Sequence, residues 1–418
     1  MRSWLVRLAV AVVLSMSAEA SVGADPVRIL GMGTLLPADT PVYHWCSDDP
    51  LMALTIIPTR LGAISYEPED AKRLIRLYFP RKLDRSTVDL LLFSAGDVVH
   101  FTSSQIAAMT SSVKQGVAAM ADCGGTSAIL QYIESWVASG IDEIFPNDVS
   151  AVLSARYGFF TGTYPGYFLR GIPYTLRIRE DVPNNPFSPF LAVGIERVHG
   201  FAPRNVIPKP GSAILADMIG EQGFLKDGPP FSVAWMYEDG RTLVVSEWLG
   251  HPFWGDYASD IHQSENRYGH EMFLNLVLYL VGRPISQDIV EMHRANRDRE
   301  EMRFLRDNVL SAIDFAANFG ANVRMAENEL ADVDGLMKEA DALYLEGEFG
   351  RSSETVSSCI DRLRGLFEKS LSLKDRALAS LYMSEWLAIT GTLVICGLVL
   401  YEMMVRRRIY KVVQTTRT

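Results

Sequence analysis

The chain has 418 residues, of which 48% are hydrophobic and 22% charged. That supports one large domain plus something smaller and excludes a chain that is disordered throughout. The net charge is −10, and no basic patch with interleaved aromatics precedes the extreme C-terminus, which excludes a nucleic-acid binder.

Met1 to Ala24 reads as a secretory signal peptide. Arg2 and Arg7 form its basic region, Leu8 to Leu14 its apolar run, and small residues lead to cleavage at Ala20 or Ala24. An uncleaved anchor is the alternative, although the apolar run is short for a span. Val27 to Leu30 predicts a first strand and Gly31-Met32-Gly33 a turn. This Gly-x-Gly lacks the rest of a dinucleotide fingerprint, and no cofactor is expected. Tyr43 to Ile57 reads as a loop followed by a strand or short helix. Glu69 to Tyr78 predicts a helix with Ala71, Leu74, Ile75 and Tyr78 on one face.

The organising stretch is Val88 to Gly125. Val88 to Phe93 has the look of a strand buried on both faces. Thr102, Ser103 and Ser104 are candidate caps for a helix whose inner face is Ile106, Met109 and Val113. Val117 to Met120 then resumes as strand, completing a right-handed βαβ unit. Ligands of such sheets gather at the carboxyl ends of the strands. Those ends carry Gly96 and Asp97 in one case, and Asp122, Cys123, Gly124 and Gly125 in the other.

Further on, Ser127 to Trp136 and Phe145 to Arg156 predict short helices, while Tyr157 to Arg170 and Asp181 to Pro189 read as loops. Val206 to Asp217 predicts a turn and an apolar strand. Phe231 to Tyr237 and Arg241 to Trp248 predict strands joined at Glu238-Asp239-Gly240. A helix from Tyr268 to Val281 closes the domain, burying Phe273, Leu276, Val277 and Leu280.

From Ser286 the pattern changes to long amphipathic helices. Met302, Leu305, Val309 and Ile313 recur at helical spacing, as do Leu330, Val333, Met337, Ala340 and Tyr344. After Gly347 to Gly350 come Val356, Ile360, Leu363, Phe367 and Leu371, which predicts a helical hairpin or bundle. Leu387 to Val405 is almost wholly apolar and long enough to cross a bilayer, with Trp386 and Tyr401 near its edges. Arg406, Arg407, Arg408 and Lys411 follow at once, which places the tail in the cytoplasm and the bulk of the chain outside it, as a single-pass type I protein. The expected division is signal peptide 1–24, α/β domain 25–290, helical stalk 291–385, transmembrane helix 386–405 and basic tail 406–418.

The run Ala121-Asp122-Cys123-Gly124-Gly125 resembles the Gly-x-Cys-x-Gly nucleophile elbow of the class I glutamine amidotransferase-like superfamily, with Ala121 in place of the first glycine. Gly240 to Val245 is similar to the late strand of these domains, which leads to the catalytic histidine. Here that is His251, followed by Pro252, but Phe253 stands where the family has an acid. Leu249-Gly250-His251 is also similar to the trehalose-utilisation-protein-like branch. The whole layout resembles a group of large prokaryotic membrane proteins that carry such a domain and have no assigned activity. The residues behind that likeness are Tyr78 to Arg81, Phe145 to Asp148, Asn266 to Tyr268, Asp314-Phe315, Phe319 to Asn322 and Val405 to Arg408. The resemblance implies a flavodoxin-like α/β fold.

It also implies a catalytic assignment: Cys123 as nucleophile, His251 as base, and Asp256 or Glu247 orienting it, with the Gly124 and Gly125 amides facing an oxyanion. Against this stand the displaced acid and the ready oxidation of an exposed thiol outside the cytoplasm. A buried Cys123, or one bonded to Cys46, is the bland alternative. No histidine has the spacing of a zinc helix, so no metal is expected. Trp248 and Trp254, with Gly96, Asp97, Gly124 and Gly125, are the expected pocket residues. The favoured expectation is a non-catalytic module for a small ligand or an envelope partner, the partner meeting residues 291–385. The alternative is a membrane-tethered cysteine hydrolase or amidase.

Overall fold

The structure is a computed structural model. It describes residues 25–33, 41–58, 60–61, 64–65, 68–94, 98–122, 130–151, 174–198, 200, 206–221, 228–250, 252–254 and 266–415. These form two compact units, one comprising residues up to Asn296 together with Asp341–Gly350, the other Arg297–Ala340 and Arg351 onward.

The first unit is a mixed α/β domain around an eight-stranded sheet. Its strands are β1 (Val27–Gly33), β2 (Met52–Pro58), β5 (Leu90–Ser94), β6 (Ala118–Ala121), β7 (Thr175–Ile178), β8 (Ala213–Ile219), β9 (Pro230–Tyr237) and β10 (Gly240–Val245). A separate two-stranded ribbon pairs β3 (Arg60–Leu61) with β4 (Ile64–Ser65). The order across the large sheet is β2-β1-β5-β6-β10-β9-β8-β7. The first five are parallel and the last three extend the sheet antiparallel. Among the five parallel strands the chain therefore runs in the spatial order second, first, third, fourth, fifth.

Alternation along the central strands feeds two cores. Val27 and Ile29, Leu90 and Leu92, Ala118 and Met120, Leu243 and Val245 face one side. Leu30 and Met32, Leu91 and Phe93, Ala119 and Ala121, and Val244 face the other. This is why Val88 to Phe93 reads as a continuous apolar run: both faces are covered. Helices α1 (Pro41–Asp48) and α5 (Gly269–Val281) supply Val42, Cys46, Phe273 and Leu276 to the first core. Helices α2 (Pro68–Tyr78), α3 (Ser103–Lys114) and α4 (Leu130–Ser139) supply Ile75, Met109 and Trp136 to the second.

The predicted βαβ unit is present as β5-α3-β6. Thr102 caps α3, its side chain accepting from the Gln105 amide while Gln105 reaches back to the Thr102 amide. The hairpin at Glu238 and Asp239 joins β9 to β10, and Gly240 is required by close approach: a Cβ there would lie 2.2 Å from the Val113 carbonyl oxygen. Three local readings change. The stretch from Tyr43 opens as helix α1 and not as a loop, and β2 follows it. Gly31-Met32-Gly33 continues β1 rather than turning, because each residue pairs with both β2 and β5. Tyr78 is exposed and only Ala71 and Ile75 of the α2 face are fully buried.

The second unit contains most of three long helices: α6 (Ile289–Asn318), α7 (Arg324–Leu345) and α8 (Phe349–Thr415). Met302, Val309, Ile313, Leu330, Val333, Val356, Ile360 and Leu363 make its core, as the helical spacing predicts. Arg306 with Asp334 and Lys369 with Glu329 tie neighbouring helices at its surface. Helix α8 continues unbroken from this core through the apolar segment to the basic tail. It is long and apolar enough to cross a membrane, and that window is exposed throughout.

Candidate functional site at the carboxyl edge of the sheet

The parallel strands all end on one edge, at Gly33, Pro58, Ser94, Ala121 and Val245. The chain leaves β1 for β2 on one side and later enters β5 on the other, so the crevice between Gly33 and Ser94 is the topological switch point. Gly96 and Asp97 follow β5 directly. They lie outside the described residues, as do Cys123, Gly124, Gly125, His251 and Asp256. The described part of this edge is the frame from which those segments leave.

That frame is polar and buried. Ser94, Asp122, Ser246 and Glu247 are each at most 1% exposed. Asp122, the residue after β6, takes the Ser94 hydroxyl at 2.8 Å and the Leu249 backbone amide at 3.1 Å on Oδ2. Its own amide bonds the Phe93 carbonyl at 3.1 Å. One carboxylate thus brackets the exits of three neighbouring strands, β5, β6 and β10. A buried acceptor with charge makes the stronger kind of hydrogen bond and holds the β10 exit close to the β6 exit.

Glu247, the alternative orienting acid, has a structural partner. Its Oε2 accepts the Tyr174 hydroxyl at 2.6 Å, and both side chains are buried. Burial, with the Glu247 charge and this bond adding to it, pushes the Tyr174 hydroxyl well above its ordinary range, so it stays a donor. Tyr174 is fixed by reciprocal backbone bonds with Gly200. Only glycine fits there, because a Cβ would fall 2.0 Å from Tyr174 Cζ.

The tryptophans part company. Trp254 is 0% exposed, packed between Phe253 and Phe231, so it belongs to the core and not to an open pocket wall. Its backbone carbonyl abuts Gly269, where a Cβ would be 1.5 Å away. Trp248 is half-buried beside the frame.

A Cys46–Cys123 disulfide is not formed: Cys46 is a free, buried thiol lying 3.8 Å from Met52 Sδ. Burial, and Asp49 after it, pushes this thiol up and keeps it protonated. The reason is topological. Cys46 is in α1, not at a strand end, and sits against Met52, the first residue of β2. Ala121 is level with Ile57 through the Phe93 and Met32 registers. At about 3.3 Å per residue the two positions are about 16 Å apart along the strands, against the roughly 6 Å a disulfide spans. Among the described residues no group of three or more His, Cys, Asp and Glu side chains is arranged to hold a metal ion.

Sequence reasoning passed over Ser94, Tyr174 and the bracketing role of Asp122. Tyr174 and Glu247 are far apart in the chain and carry no mutual spacing signal. Asp122 was the better-marked case: an acid at the end of a buried strand has to find donors there.

No protein-family model and no curated protein sequence matches the chain. Solved structures similar to it include the cytoplasmic protein STM1381 from Salmonella typhimurium LT2, at 11% identity and a TM-score of 0.41. The cytoplasmic protein STM3548 from Salmonella typhimurium is similar at 9% identity and a TM-score of 0.39. Each likeness covers 61% of this chain and 99% of the other, and at such scores neither fixes a fold family or a function.

Proposed function

We propose that the protein is a membrane-anchored, non-catalytic binding module. Its flavodoxin-like, amidotransferase-like domain takes a small ligand or an envelope partner at the carboxyl edge of the sheet, outside the cytoplasm. The observation that carries this reading is the buried polar frame at that edge, in which one oxygen of each described acid holds the scaffold. Glu247 is bonded to Tyr174, and Asp122 to Ser94 and the Leu249 amide. The second-first-third-fourth-fifth order of the parallel strands supports the flavodoxin-like assignment. The apolar stretch of α8 followed by Arg406, Arg407 and Arg408 supports a single span with a cytoplasmic tail.

The second reading is a membrane-tethered cysteine hydrolase using Cys123 and His251. The Asp122–Leu249 bond favours it, because it draws together the exits of the two strands from which those residues follow. Thiol alkylation of the full chain in lipid nanodiscs, with Cys123→Ala to identify the signal, separates the two. The binding-module reading expects Cys123 to titrate as an ordinary thiol, near about 8.5, with no response to His251→Ala. A thiolate that forms well below that value, and that His251→Ala raises, overturns it in favour of the hydrolase.

A further inference from the structure

The helical unit ends, on the side from which α8 runs on into its apolar segment, in an exposed apolar turn. Helix α6 stops at a Schellman turn. The Ala321 amide donates to the Ala316 carbonyl at 3.0 Å, and the Gly320 amide to the Ala317 carbonyl at 2.9 Å. Gly320 takes the left-handed φ of 81° that this turn requires. The turn is therefore fixed, and so is what it presents. Phe319, just before the glycine, is 39% exposed, and Met325, in the first turn of α7, is 80% exposed. Turns in water are built mainly from glycine, proline, asparagine, aspartate and serine. Exposed apolar residues scattered singly still need no cover. These two differ in where they stand.

Contacts along the bundle fix that place. Helix α7 runs back along α6, and α8 returns parallel to α6: Arg306 pairs with Asp334, Lys369 with Glu329, and Ser353 with Asp298. Near the end, the Lys374 ammonium lies 4.9 Å from the Phe315 ring centroid. Phe315 packs on Phe319 one turn further on, with ring centroids 4.6 Å apart. Phe319 is thus level with α8 about one turn beyond Lys374. After Lys374-Asp375-Arg376, helix α8 carries only Glu385 and Glu402 as charges before Arg406. From Ala377 to Val405 it rises about 44 Å at 1.5 Å per residue, or about 41 Å when tilted by the ordinary 20° of a span. A bilayer with its headgroup layers is about 40–45 Å thick. The turn therefore stands at the level of the outer headgroup layer.

We propose that the turn from Phe319 to Met325 is a second membrane contact, in which these two side chains enter the outer headgroup layer and hold the bundle upright beside its own span. The proposal rests on the reading of α8 as a span. The occupant is lipid because α8, unbroken from the bundle core into the apolar segment, brings a bilayer to this end of the bundle in every copy of the chain. Phenylalanine and methionine replace water there by glycerol and upper acyl-chain contacts. Lys374, lying on Phe315, keeps its ammonium at headgroup depth, so the group has an apolar body and a cationic tip.

The test is tryptophan emission of the full chain in phosphatidylcholine nanodiscs, with and without bromine on the acyl chains close to the glycerol. Bromine quenches indoles that reach the bilayer. The span is checked first: the wild type should lose emission on bromination, and Trp386→Phe should lose less. An equal loss in the two means that α8 is not the span, and that reading and the proposal fall together. With the span established, Phe319→Trp and Met325→Trp should each add emission that bromine quenches. Phe304→Trp, exposed on α6 about 22 Å further from the bilayer, should add emission that bromine leaves untouched. No added quenching in Phe319→Trp overturns the contact and leaves the span standing. An introduced indole that is blue-shifted but unquenched is covered by protein, a second copy or another partner, and overturns it equally. Quenching in Phe304→Trp as strong as in Phe319→Trp means that the bundle lies along the bilayer, which refutes the upright contact.

Discussion

Replacing Asp122 tests whether one carboxylate organises the carboxyl edge. In Asp122→Ala the Ser94 hydroxyl and the Leu249 amide both lose their charged acceptor, at sites that are 0% exposed. Hydrogen bonds to charged groups contribute about 1.5–3 kcal/mol each, so the two together amount to about 3–6 kcal/mol with little screening by solvent. Both donors meet the same oxygen, so Asp122→Asn with its carbonyl in that position still accepts from both, loses only the charge and should cost less than the alanine variant. Native-state hydrogen exchange of the β6 and β10 amides in the full chain reads the loss locally, without requiring the whole molecule to unfold in one step. The order expected is wild type, then Asn, then Ala, with the 246–250 amides most affected. A loss under about 0.5 kcal/mol in the alanine variant, within the range of an ordinary surface substitution, refutes the bracketing role.

Three further outcomes follow from the geometry. Gly240→Ala places a Cβ 2.2 Å from the Val113 carbonyl and 2.7 Å from that of Val117, so thermal melting should show a loss of at least about 1–3 kcal/mol from overpacking. Burial opposes ionisation of Asp89, but its bonds from the Arg28 side chain and amide hold its carboxyl below the ordinary range. That contribution is present above the ordinary carboxylate range and lost as pH falls through the lowered value. Arg28→Ala should therefore lower stability at neutral pH and flatten the acid limb of a stability–pH curve, and parallel limbs in the two proteins would contradict it. Cys46, buried with a raised thiol, should resist alkylation in the folded chain and react only after denaturation. Prompt native labelling that Cys46→Ala abolishes would show that α1 does not cover it as described.

The parts of the fold that were readable in advance are those governed by local rules. The β5-α3-β6 unit, the α3 cap at Thr102 and the β9-β10 hairpin each follow from residues close in sequence. The long helices of the second unit follow from apolar spacing in the same way, and their predicted inner faces form its core. Gly31-Met32-Gly33 was misread because glycine punctuates loops more often than strands, while here two neighbouring strands pair with it on either side. Trp254 reads equally well as pocket wall or core, and the packing of Phe231 and Phe253 against it decides for core.

Taken alone, the sequence did not determine helix α1 or strand β7. It determined most of the other elements, the two-sided burial of the central strands and the single apolar segment near the C-terminus. All of these are set by periodicity and composition over short windows. Tertiary structure decided the partners of the buried polar groups. Glu247 meets Tyr174, Asp122 meets Leu249, and Asp49 meets both His270 and Tyr344, across separations of up to 295 residues. A buried carboxylate must find donors, but nothing in its neighbours along the chain says which ones. That choice is made by strand order and helix packing, which bring distant residues to one edge of a sheet.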